Sequence, residues 1–173
     1  MKRSLSGQEI VNLDLYPLEE AEHPKLRSVI ERVRAELNEY ICVVIQNFLS
    51  KEGLSSLHQE AFERKEKAYF SPKTRCNVYL KEEDPKLPKD HPQNIMMERS
   101  NGFVTSDHFG DETSSRKLYH WVPLKRFLVE CLQKNELFIY EDPISDMIIN
   151  VIKPRQCFNW HFNTNEFTIT MLL

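Results

Sequence analysis

The run Asn159-Trp160-His161-Phe162-Asn163-Thr164-Asn165-Glu166, followed by Phe167-Thr168-Ile169-Thr170-Met171-Leu172-Leu173, constrains this chain more than any other stretch. Alternation of apolar and hydroxyl-bearing residues from Phe167 onward predicts an extended strand with one buried face, because successive strand side chains point to opposite sides. The same period puts His161 and Asn163 on one face if 159–163 is also extended. An imidazole nitrogen and a short oxygen-bearing side chain placed in that way can reach one metal ion. A strand with a buried face needs partners on both edges. The chain is therefore expected to be completed by a further segment, or to self-associate through its C-terminal strand, and to be inactive alone.

Length and composition exclude several classes. A chain of 173 residues, 40% hydrophobic and 28% charged, fits one domain with a real core. Its net charge of −3 and a basic cluster (Arg64, Lys65, Lys67) broken up by Glu63 and Glu66 give no footprint for a nucleic acid. No apolar run approaches the ~18 residues of a membrane helix. Nor does an apolar stretch follow the basic Met1-Lys2-Arg3 start, as a secretory signal requires. Cys42, Cys76, Cys131 and Cys157 are scattered and form no Cys-x-x-Cys pair, which suggests reduced thiols in a cytoplasmic protein.

Periodicity divides the chain into a mainly helical part, 1–135, and a strand-rich end, 136–173. Pro24 opens a predicted helix over 24–40, with Leu26, Val29, Ile30, Val33 and Leu37 at spacings of three and four. The apolar run Ile41–Ile45 predicts a buried strand. Ser50 is the expected N-cap of a second helix reaching about Phe70, its stripe being Leu54, Leu57, His58, Ala61 and Phe62. Three prolines among charges make 82–94 a surface loop. A third helix is expected over 114–134, with Leu124, Phe127, Leu128, Cys131 and Leu132 on one face. Beyond it lie the apolar run 137–140, a turn at Glu141-Asp142-Pro143, and strands at 147–152, 159–163 and 167–173.

Several of these segments together carry a resemblance. Asn47-Phe48-Leu49-Ser50 follows a helix and an apolar run. Later come Leu118-Tyr119-His120-Trp121, Leu137-Phe138-Ile139-Tyr140, Asn150-Val151, and Trp160-His161-Phe162-Asn163-Thr164-Asn165-Glu166-Phe167. This series resembles the phytanoyl-hydroxylase-like branch of the Fe(II)- and 2-oxoglutarate-dependent oxygenases, in a bacterial subgroup related to amino-acid hydroxylases and halogenases. The match is good over about 95–173 and looser before it.

The resemblance implies an α+β fold with helices packed on the start of a double-stranded β-helix, the jelly roll shared with cupins, whose last strands lie beyond this chain. It implies His161 as first iron ligand, Asn163 in the place of the carboxylate ligand, and Asn150 as an amide that hydrogen-bonds the 2-oxoglutarate carboxylate. In such proteins a second histidine and an arginine that clamps the far carboxylate come from later strands. No histidine follows His161 here. The implied activity is hydroxylation of a small, amino-acid-like substrate.

Asn163 departs from the pattern, since an amide oxygen brings a dipole and no charge to the metal. Related halogenases have glycine or alanine at that place, so asparagine matches neither chemistry. A halogenase and a non-catalytic binding module built on the same shell stay open as alternatives. Away from the family, a histidine after a tryptophan on a strand is more often packed than ligating. His58 reads as a core or boundary residue, His23 and His91 as loop residues before proline, and His108 and His120 as surface residues flanking the third helix. Ser114 and Ser115 with Arg116 suit either an anion at a helix start or a plain N-cap.

Overall fold

Helix α1 (Gly7–Ile10) opens with a capping box in which the Glu9 carboxylate accepts from the Ser6 backbone N–H and hydroxyl, both at 2.9 Å. In this computed structural model, residues 3–72, 74–163 and 165–173 are described. They form two compact units, one of Met1–Glu63, Ser106–Met147 and Leu173, the other of Arg64–Thr105 and Ile148–Leu172.

The first unit is helical. Helix α2 (Pro24–Tyr40) has the expected bounds, with proline in the first turn and Leu26, Ile30 and Val33 buried. His23 acts locally, its Nδ1 accepting from the Lys25 backbone N–H at 3.2 Å and so capping α2. The helix stops at Ile41, which sits in the left-handed region with φ 63° and donates its N–H to Leu37. The strand expected at 41–45 does not form. Ile41 is 91% exposed, and the pairing with Val11 is made by Leu49 instead. An apolar run becomes a strand only when a neighbouring backbone meets it, and the neighbour meets 48–50: Asn12 N–H donates to the Phe48 carbonyl and Ser50 N–H to that of Ile10.

Helix α3 (Lys51–Arg64) begins as predicted, the Ser50 hydroxyl accepting from the Gly53 N–H at 2.9 Å. Its buried face differs from the expected stripe. Gly53 and Leu57 are buried, whereas Leu54, His58 and Phe62 face outward. His58 stacks on Phe62, with ring centroids 6.2 Å apart. Gly53 sets this rotation, because its missing side chain lets the helix lie against the α1 backbone. A Cβ there would stand 2.2 Å from the Ile10 carbonyl oxygen. Gly53→Ala, which favours an isolated helix, should therefore destabilise this one by about 1–3 kcal/mol in urea unfolding. A neutral or stabilising result would show that α1 and α3 are not in this close contact.

The single helix expected at 114–134 is two, α4 (Ser114–Tyr119) and α5 (Val122–Cys131). Pro123 explains the break: inside a continuous helix its ring would collide with the carbonyl four residues back, whereas it is tolerated in a first turn. Helix α5 packs on α2 through Leu124, Phe127 and Cys131, and Arg27 and Arg34 of α2 reach Glu130. Burial pushes the Cys131 thiol up to about 12, so it stays protonated. The α4 N-terminus does hold an anion, and it is the protein's own. The Glu60 carboxylate accepts from the Ser114 and Ser115 N–H groups at 2.6 and 3.0 Å.

In the second unit, strands β1 (Tyr69–Phe70), β4 (Gly102–Val104) and β5 (Ile149–Val151) form an antiparallel sheet in the order β1-β4-β5. Strands β2 (Arg75–Cys76) and β3 (Met97–Glu98) pair separately. Four of the five strands thus lie at 69–104, where periodicity predicts none. Among the described residues these sheets do not close, and neither 137–140, 159–163 nor 167–173 is a strand. Phe138 is 83% and Leu172 94% exposed. All four cysteines are free, and no helix among the described residues is long and apolar enough to cross a membrane.

Candidate functional site

Register decides what the second unit presents. Asn150 of β5 pairs with Phe103 of β4, so their side chains share a face. Gly102 and Val151, the neighbouring pair, point to the other side, where the Phe70 ring lies over Gly102 and Lys153 over Phe70. A Cβ on residue 102 would come within 2.6 Å of that ring, so glycine lets the ring close over this reverse face.

Further contacts extend the Asn150 face. Arg99 forms a β-bridge with Phe158. Its guanidinium lies over the rings of Phe103 and Phe158, 4.9 and 5.5 Å from their centroids. Phe158 meets Phe103 edge-on at 5.9 Å and stacks on the His161 imidazole at 4.1 Å. Asn101, only 2% exposed, donates its amide N–H to Asn150 Oδ1 at 3.1 Å. Two of the motif residues, Asn150 and His161, are thus linked through Phe103 and Phe158.

The 157–162 segment is held from several sides. The Ser100 N–H donates to the Cys157 carbonyl at 2.9 Å, and the Cys157 N–H to the Ser100 hydroxyl at 3.0 Å. Asn159 donates its amide to the Glu98 carbonyl at 2.8 Å, while the Phe162 N–H donates to the Val78 carbonyl. Phe162 stacks on Tyr79 at 5.4 Å and so points away from the imidazole. Trp160 is 83% exposed.

His161 Nδ1 lies 2.8 Å from the Asn159 carbonyl oxygen. A carbonyl only accepts, so Nδ1 carries the proton and the lone pair of the neutral ring sits on Nε2. This is how a protein prepares an imidazole ligand, with one nitrogen bonded to the backbone and the other left for a metal. Asn163 is held differently. Its amide donates to the Thr168 hydroxyl at 3.0 Å, which turns Oδ1 away from that contact, and the residue is exposed.

No protein-family profile matches this sequence, and no curated protein or solved structure matches it.

The donor set can be tested against iron directly. A facial triad needs two imidazoles and a carboxylate. His161 and Asn163 supply one imidazole and one amide, and no group of three or more His, Cys, Asp or Glu able to hold a metal occurs among the described residues. These residues alone do not complete an iron site.

Sequence reasoning missed Arg99, Asn101, Phe103 and Phe158. The signal was present in the period-two series Arg99-x-Asn101-x-Phe103, a strand face that mixes a cation, an amide and a ring. The first unit has a cleft of about 510 Å³ lined by Asp111, Lys117, His120 and Trp121.

Proposed function

We propose that this chain is an Fe(II)- and 2-oxoglutarate-dependent oxygenase that hydroxylates a small, amino-acid-like substrate, with His161 as an iron ligand, built on the jelly-roll arrangement its motifs resemble. The observation that supports this reading is the His161 imidazole, its Nδ1 proton committed to the Asn159 carbonyl and its Nε2 left for a metal. Asn150 adds to it. Its Oδ1 is occupied by Asn101, so its amide N–H groups remain to donate to a carboxylate. Because the described residues stop short of a full ligand set, the work assigned to this chain is orientation. Asn159 fixes the imidazole, Phe158 holds its plane, and Asn150 offers hydrogen bonds.

The absence of a three-donor cluster among the described residues favours a second reading, a binding module that uses the same face without chemistry. Anaerobic titration of Fe(II) into the chain separates the two, read as paramagnetic broadening of the His161 ring protons. Under the oxygenase reading, His161→Ala weakens calorimetric Fe(II) binding roughly tenfold or more, and Asn163→Asp tightens it by restoring a charge. Absence of any His161 broadening, in the wild type and in Asn163→Asp alike, overturns the metal role and leaves the binding module.

A further inference from the structure

Arg99 is an arginine with aromatic rings where most of its counterparts have an acid. Arg3, Arg27, Arg32, Arg34 and Arg116 each meet a carboxylate, whereas none meets Arg99 among the described residues. Its Nε is buried and has no hydrogen-bond partner among the described residues. An unpartnered N–H of a charged group costs more to bury than a neutral one, so such a position is retained where a partner of opposite charge arrives. Asn101 repeats the pattern beside it. This side chain is 2% exposed and its Oδ1 is orphaned. Turning both Asn101 and Asn150 amides over would preserve their mutual bond and orphan Asn101 Nδ2 instead, so one atom of this buried amide stays unpartnered in either orientation.

We propose that Arg99 anchors a small organic carboxylate on the Asn150–His161 face, with Asn101 and Asn150 hydrogen-bonding the group next to that carboxylate. The Nε edge of a guanidinium offers two parallel N–H donors that match a planar carboxylate. Phe103 and Phe158 hold the guanidinium plane and exclude water beside it, which strengthens the ion pair. A phosphate also offers two oxygens to such an edge, but only an organic acid carries a neighbouring group for Asn101 and Asn150 to hydrogen-bond. Occupancy by a substrate carboxylate rests on the oxygenase reading; the carboxylate subsite itself does not, because none of its residues is a metal ligand.

The test is a titration of the metal-free chain followed at the Arg99 Nε–H resonance, with acetate, glycine, 2-oxoglutarate and inorganic phosphate as probes. The expected result is a saturable shift at Arg99 with at least one carboxylate, binding more tightly than phosphate. Glycine ahead of 2-oxoglutarate marks a substrate subsite, and the reverse order a co-substrate subsite. Arg99→Lys keeps the charge but removes Nε, and should weaken calorimetric binding of the best carboxylate roughly tenfold or more. The titration is made without metal, so this result and the iron titration can fail separately. No saturable shift with any carboxylate, tighter binding of phosphate, or full binding by Arg99→Lys overturns the proposal.

Discussion

Phe127→Ala should destabilise the protein by about 3–5 kcal/mol, the usual cost of emptying a buried aromatic site. Phe127 is 2% exposed on α5 and stacks on Phe48 at 6.2 Å, which in turn packs on Tyr16 at 5.4 Å. That column joins helix α5 to the segment whose backbone is bonded to α1, so the cavity cannot close without moving several elements. The control is Phe138→Ala. Phe138 belongs to an apolar run that reads like a strand but is exposed, and its loss should cost roughly 0.5 kcal/mol or less. Urea unfolding of the two variants measures the contrast. Equal costs would show that 137–140 is buried and that this assignment of the core is wrong.

Arg116→Met should cost a similar amount, about 3–5 kcal/mol, for an electrostatic reason. Arg116 pairs with Asp146 and also donates to the carbonyls of Ser106 and Phe109 at 3.0 and 3.4 Å. Both charged side chains are about nine-tenths buried, at 11% and 10% exposure. Removing the arginine leaves a buried carboxylate with no countercharge, one of whose oxygens already lacks a partner among the described residues. Adding Asp146→Leu to Arg116→Met should recover more than half of the loss, because a well-packed apolar pair is often as stable as a buried ion pair. A single-variant cost below about 1 kcal/mol would mean that water reaches the pair.

What was legible in the sequence was local. Helix α2 follows from one apolar stripe and a first-turn proline, and the Ser50 cap from a hydroxyl at a helix start. The turn at Asp142 follows from a carboxylate able to bind its own backbone. Its oxygens accept from the Ile144 N–H and the Ser145 hydroxyl at 2.9 and 2.8 Å, and the Ile144 backbone bond comes first in holding that carboxyl below the usual range. Each of these is an interaction within a few residues, so pattern and chemistry suffice to predict it. The Pro123 break is equally local, but a longer apolar period running through it masks the signal.

The candidate site was half legible. His161 and Asn150 came from spacing and resemblance, and both lie on one face. Arg99 and Phe158 carry little signal by themselves, since their roles depend on a bridge between segments 59 residues apart. The same limit explains the apolar run 41–45, which has the composition of a strand and no strand partner among the described residues.

The sequence by itself determined the bounds of α2 and the start of α3, which residues have the chemistry of a ligand, and that the chain lacks an apolar membrane helix. Tertiary structure alone decided which apolar runs are paired, that Gly53 turns α3 so that His58 faces outward, that Glu60 fills the anion site at α4, and that Arg99 lies on two rings and meets no acid among the described residues. The physical reason is common to all four. A backbone edge, a buried face or a charge acquires its partner only when distant segments meet, and no periodicity within one segment records that meeting.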